Sequence, residues 1–270
     1  MQFNVGKIIR TGHILNRRTK RVVIVAMDHG SFAGPMKGIE KPGETIKKVI
    51  DGGADAMLLP PGIVSKFADI ISGNIGVIMR IDGGSTIYSP ETDRPKSKII
   101  CSVERAVKLG ADAIIAMAWV GAPNESELLA QFAKIAQEGH EYGLPVFAET
   151  LLIGMPKIES VSDPKAVSVA TRVAAELGAD FIKTHYTGDP ETFKTVVEGT
   201  PAPLVILGGP KRDTIKEVLN DVKGAIDAGA IGVAFGRNIW QADDPAKMVR
   251  AIAKIVHDRA SVEEALNELK

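Results

Sequence analysis

One cysteine, Cys101, stands in 270 residues. No internal disulfide can form, the lone thiol reads as structural, and a reducing compartment is expected. Charge of either sign is also missing in net terms. Lys plus Arg number 33 and Asp plus Glu number 33, which removes the basic field that recruits nucleic acid or an anionic membrane surface. Long apolar runs are absent, because Asp, Lys or Arg interrupts each one before it reaches membrane-spanning length. The stretch "MQFNVGKIIRTGHILNRRTK" lacks the apolar core of a secretory signal. Together these absences predict a cytoplasmic protein with a small-molecule partner, no nucleic acid and no membrane. Metal motifs are missing as well. The five histidines show neither H-x-H nor H-E-x-x-H spacing, and His140 and His257 fall in helical patterns with solvated faces. The one set that folding would have to assemble is His29, His185 and Glu149, and no metal is expected.

What is present is ordinary globular material, 45% hydrophobic and 24% charged, long enough for one large core. Four segments echo one another: "GGADAMLLP" from Gly52, "LGADAIIAMAW" from Leu109, "LGADFIKTHY" from Leu177 and "AGAIGVAFGRN" from Ala228. Each ends a helical pattern on glycine and opens a β-favouring run, so each is a helix-to-strand joint. Four further apolar runs, "RVVIVAMD", "GVIMRID", "PVFAETLLIG" and "PLVILGG", complete eight strands. They are continuous rather than alternating, as strands of a parallel sheet covered by helices should be. A G-x-G-x-x-G turn after the first strand, which an open dinucleotide-binding sheet would want, is lacking in "MDHGSFAGP". The pattern predicts a single (β/α)₈ TIM barrel over residues 1–270, with 85–98 as a long loop.

In such a barrel chemistry sits at the C-terminal strand ends. Asp28 and His29 end strand 1, Asp82 strand 3 and Trp119 strand 4. Glu149 lies in strand 5, Lys183 and His185 in strand 6, "GGPK" after strand 7 and "GRN" after strand 8. Alternation places Lys183 and His185 on one face. Two readings of Lys183 stand: a desolvated amine serving as nucleophile, or a partner that satisfies a buried carboxylate such as Asp28 or Glu149. Glycines at the ends of strands 7 and 8 let backbone N–H groups approach an anion, so Gly208, Gly209 and Gly236 read as a phosphate cup with Arg237 as its clamp; tight strand-to-helix turns are the plainer alternative.

The ordered motifs "VIVAMDHG", "ADFIKTHYTGD", "LVILGGPK", "GVAFGRNIWQADDP" and "IVHDRASVEEALNELK" resemble the archaeal-type class I fructose-bisphosphate aldolase family. That family includes aminodideoxyheptulosonate synthases and a thiolase acting on phosphorylated autoinducer-2. The resemblance implies Lys183 as Schiff-base lysine, Asp28 as an acid/base or orienting group, and substrate phosphate on Gly208, Gly209, Gly236 and Arg237. It also implies a phosphorylated sugar as substrate, no cofactor, and a homo-oligomer, pentameric or decameric. One motif departs from the pattern. Many relatives carry "YPRG" at the end of strand 5, where the tyrosine moves protons, whereas this chain reads "ETLLIG" with Leu151 at the tyrosine position. Glu149, two residues earlier on the same face, is the expected replacement, as in other class I aldolase barrels with a strand-5 glutamate; His185 is the alternative.

Overall fold

The computed structural model describes residues 4–90, 95, 97–153, 158 and 160–270. Eight parallel strands close into a barrel: β1 Val22–Ala26, β2 Ala56–Leu59, β3 Gly76–Arg80, β4 Ala113–Val120, β5 Val146–Leu152, β6 Phe181–Thr184, β7 Leu204–Leu207 and β8 Gly232–Phe235. Each strand neighbours the next in sequence, and β8 returns to β1. The (β/α)₈ expectation is met. Asp82 lies just past β3, in a short antiparallel ribbon that pairs 82–83 with 98–99. The long loop therefore returns to the barrel rim; part of it falls outside the described residues.

Why the strands read as unbroken apolar runs follows from two separate cores. One phase of each strand points inward, where Val22, Ile24, Leu58, Ile78, Ile115, Phe147, Phe181 and Val205 pack together. The other phase, including Val23, Val25, Met57, Leu59 and Ile182, packs outward against the helices. Removing such side chains from water stabilises by about 1.5–3 kcal/mol each before entropy is charged against it. The amino-terminal helix Val5–Ile14 sets Ile14, 1% exposed, into the inner cluster and closes the barrel floor. No helix among the described residues is long and apolar enough to cross a membrane.

The repeated joint is a structural device. Gly53, Gly110, Gly178 and Gly229 all have positive φ, and in each joint the next alanine N–H donates five residues back, as in Ala54 to Val49 and Ala179 to Ala174. In three joints the following aspartate then latches onto the previous strand. Its N–H donates to that strand's carbonyl while its carboxylate accepts the N–H of the same residue: Asp55 with Val23, Asp112 with Val77, Asp180 with Val146. Ile231 occupies the fourth position and makes only the backbone half. His257, expected on a solvated face, is instead largely buried, with Nε2 3.0 Å from Asp55 and Nδ1 2.9 Å from Thr19; the helix Pro245–Asp258 turns it toward the barrel floor. Asp55→Ala leaves the Val23 N–H and His257 without this acceptor. It is expected to cost about 2 kcal/mol, read as a lower urea midpoint with kcat unchanged.

Candidate active site

Inward phase runs from Phe147 to Glu149 on β5 and from Phe181 to Lys183 on β6, and the two strands pair Phe147 with Phe181 and Glu149 with Lys183. The phenyl rings stack at 4.7 Å and form a dry floor under the charged pair. Above that floor Lys183 Nζ lies 2.6 Å from Glu149 Oε1, with the lysine side chain 5% exposed. Thr150 and Thr184, on the opposite phase, bond to each other at 2.8 Å and so fix which way their neighbours face. Lys183 therefore points into the barrel and is paired, which joins features of both sequence readings.

Arg80, the last residue of β3, was not singled out by the sequence, yet it is the hub. Its Nε lies 2.9 Å from Asp28 Oδ2, its Nη1 3.1 Å from Asp82 Oδ1, and its Nη2 donates to Glu149 Oε2. Asp82 in turn accepts from the Met117 N–H at 2.8 Å and from the Ser97 hydroxyl. The signal for Arg80 was available: in "GVIMRID" Ile78, Arg80 and Asp82 share a phase, so the arginine is inward by the same rule that places Lys183.

These contacts set the protonation states. Burial alone would raise Asp28, but the Arg80 guanidinium, with His29 and Lys183, outweighs it and holds the carboxyl well below the usual range. Burial likewise pushes Glu149 up, while Lys183 and then Arg80 pull it down further than Asp28 opposes, so it stays ionised. Arg80 keeps its proton, because three carboxylates overcome its burial. His185 is lowered, first by burial; Glu149 opposes and Lys183 assists, leaving a neutral imidazole near neutral pH. Tyr186 is no substitute for the missing strand-5 tyrosine. Its ring packs against Phe193, and burial followed by Asp221, Asp189 and Asp227 pushes its hydroxyl up to about 12.

A cavity of about 410 Å³ opens beside this cluster, lined by His185, Gly208, Gly209, Lys211, Arg212 and Asn238 among others. Lys183, Glu149, Asp28 and Arg80 do not themselves line it; His185, which feels the charges of Glu149 and Lys183, connects the cluster to the cavity. Asn238 stitches the rim: its amide donates to Gly208 O and Pro210 O, and its carbonyl accepts the Arg212 N–H at 2.8 Å. Gly209 has φ of 60°, which favours glycine, and a Cβ on Gly236 would fall 2.8 Å from Ala26 O and 2.9 Å from His29 Cε1. Arg237 does not line this cavity; its Nε is buried with no hydrogen-bond partner among the described residues. Leu151 pairs in register with Trp119, so the position where the resemblance implies a tyrosine is apolar here. Trp240 is packing, its indole bonded to Ala26 O at 3.0 Å. Cys101 is buried, and burial raises its thiol, in keeping with a structural role. A larger cavity, about 730 Å³, lies at the opposite barrel end beside Asp55 and Asp112, where both carboxylates serve the strand latches. Among the described residues no three potential metal ligands converge; the His29, His185 and Glu149 set is not such a group.

A family model described as DeoC/LacD family aldolase matches residues 22–242. The class 1 fructose-bisphosphate aldolase of Thermoproteus tenax is 35% identical over 260 residues, spanning 94% of this chain and 96% of that protein. The 2-amino-3,7-dideoxy-D-threo-hept-6-ulosonate synthase of Halobacterium salinarum is 36% identical over 264 residues, spanning 97% and 96%. An archaeal fructose-1,6-bisphosphate aldolase, solved with its catalytic lysine covalently bound to the carbinolamine intermediate of its substrate, is 34% identical with a TM-score of 0.83, over 92% of this chain and 98% of that one. With a matched family model over most of its length and a lysine paired inside the barrel mouth, this chain belongs to the DeoC/LacD family of aldolases and is a lyase of the class I type.

Proposed function

We propose that the chain cleaves and forms a carbon–carbon bond in a phosphorylated ketose through a Schiff base on Lys183, with fructose 1,6-bisphosphate as the leading substrate. The observation that carries this reading is the inward Lys183 amine, 2.6 Å from an ionised Glu149 oxygen, with His185 linking the pair to a cavity rimmed by Gly208 and Gly209. Glu149 takes the ammonium proton, the freed amine adds to the ketone, and the same proton leaves with the carbinolamine hydroxyl as water. The resulting iminium draws in the electrons of the C3–C4 bond while Glu149 accepts the C4 hydroxyl proton. Glyceraldehyde 3-phosphate departs, and an enamine remains on Lys183. Glu149 returns its proton to C3, and hydrolysis releases dihydroxyacetone phosphate and the free lysine. Asp28, ionised against Arg80, orients the substrate hydroxyls, and neutral His185 faces the cavity as the alternative proton acceptor. Phosphate is assigned to the backbone of Gly208 and Gly209 on the cavity rim; Gly236 and Arg237, which do not line that cavity, would complete the cup that the resemblance implies.

A second reading is favoured by one observation, Leu151 at the tyrosine position. A proton shuttle is fitted to the bond it breaks, so the substitution suits a transaldolase-like synthase on the same lysine. An acyl-transferring thiolase and a non-catalytic phosphosugar binder stand further back. Cleavage of fructose 1,6-bisphosphate in the presence of a chelator, beside a panel of other phosphoketose donors, aldehyde acceptors and coenzyme A, separates them. The first reading expects metal-independent release of dihydroxyacetone phosphate from the bisphosphate. Turnover only with a different donor and acceptor pair gives the synthase, and a requirement for coenzyme A gives the thiolase. Glu149→Gln is expected to lower kcat by about 10²–10⁴-fold with KM little changed; full activity moves the proton work to His185.

A further inference from the structure

We propose that Arg80 is a positioning residue for this reaction: by holding one oxygen of Glu149 together with Asp28 and Asp82, it fixes the other oxygen of Glu149 on the Lys183 amine. The inference rests on the Schiff-base reading of Lys183 given above and adds a residue that none of the motifs contains.

Three guanidinium nitrogens meet three different carboxylates: Nε meets Asp28, Nη1 meets Asp82 and Nη2 meets Glu149. A planar fork has fixed donor directions, so binding Asp28 and Asp82 determines where Nη2 points. Those two partners are themselves fixed. Asp82 is tied to the β4 backbone at Met117 and to Ser97, and Asp28 continues the inward phase of β1. Glu149 consequently spans two cations, with Oε2 on Arg80 and Oε1 on Lys183. A glutamate side chain has several rotamers and would wander if the lysine alone held it. With Oε2 clamped, Oε1 stays within proton-transfer distance of the amine through its conversion from ammonium to carbinolamine to iminium.

Charge points the same way. Glu149 is faced by Lys183 from β6 and His185 just beyond it, by Arg80 from β3 and by Asp28 just past β1. Three buried carboxylates, Asp28, Asp82 and Glu149, share two cations. Without Arg80 the three would be left with Lys183, and with His29 beside Asp28, to offset them, and a carboxyl would take up a proton. A protonated Glu149 cannot relieve the ammonium of its proton, so Arg80 governs the pH range over which Lys183 reacts. Lysine at position 80 would supply the charge and not the three directions.

The test compares the native chain with Arg80→Lys and Arg80→Met in the pH profile of kcat/KM for fructose 1,6-bisphosphate cleavage and in the rate of forming a borohydride-trapped adduct. Arg80→Lys is expected to keep the acid limb near its native pH while adduct formation slows by about 10- to 100-fold at little-changed KM. Arg80→Met is expected to move the acid limb upward by about one to three pH units, and to lose that displacement in a Glu149→Gln background. Native adduct rates and an unmoved limb in the folded variants would overturn the inference. So would failure of both variants to fold, which would assign Arg80 to the fold alone. If Arg80→Met alone fails to fold, the adduct rate of Arg80→Lys decides, slowed supporting the inference and native overturning it. Absence of an adduct in the native chain would sink the Schiff-base reading first and this inference with it; a native adduct with unaffected variants would sink the inference only.

Discussion

Lys183→Met is expected to lower kcat/KM by at least about 10³-fold while leaving the barrel folded. The kinetic loss follows from chemistry, since no other lysine among the described residues pairs with Glu149 above the Phe147–Phe181 floor, and a thioether cannot form an iminium. The fold should persist because Glu149 keeps its second partner: Arg80 still binds Oε2, so the carboxylate is not stranded. Methionine also fills the volume of the lysine stem. Stopped-flow or coupled assay of the purified variant, beside its melting curve, checks both halves. Residual activity within tenfold of native would mean that the amine does not carry the reaction.

Arg80→Met is expected to lower stability by on the order of 3–5 kcal/mol, or roughly 10 °C in Tm. Truncating one member of a buried ion network leaves its partners charged and poorly solvated. Here Asp28, Asp82 and Glu149 would be left with Lys183 and with His29 beside Asp28. The sign with pH follows from the depressed carboxyls. Asp28 and Glu149 are held below their ordinary range in the fold, so they contribute stability above the unfolded carboxyl pKa, about 4, and that contribution is lost as pH falls through the folded values. The native chain gains most from Arg80 at neutral pH. The gap in Tm between native and Arg80→Met should therefore be widest near pH 7 and should narrow below about pH 4. A gap that widens on acidification would contradict this charge assignment.

The barrel was legible because its strands and joints repeat. The four glycine-ended joints marked where helices stop, and unbroken apolar strands meant cover on both faces. Lys183 was legible because a lysine inside "ADFIKTHY" violates that pattern. Arg80 violates it in the same way in "GVIMRID", but at a strand end, where polar residues are ordinary. What no pattern shows is who stands opposite whom. The pairing of Glu149 with Lys183 depends on the β5–β6 register, the meeting of Arg80 with Asp28 on barrel closure, and the role of Asp55, Asp112 and Asp180 on the neighbouring strand's free N–H. His257 looked solvated because helical periodicity marks a face without saying what that face meets; here it meets Asp55. Asn238 was legible only as part of "GRN", since its partners lie on a loop 26 to 30 residues earlier in the chain.

The most direct test of the lysine chemistry is peptide mapping by mass spectrometry after the native chain is mixed with fructose 1,6-bisphosphate and reduced with borohydride. A reduced triose phosphate on the peptide containing Lys183, and on no other lysine, is the expected result. Continued turnover with Lys183 unmodified, or an adduct on a different lysine, would contradict it.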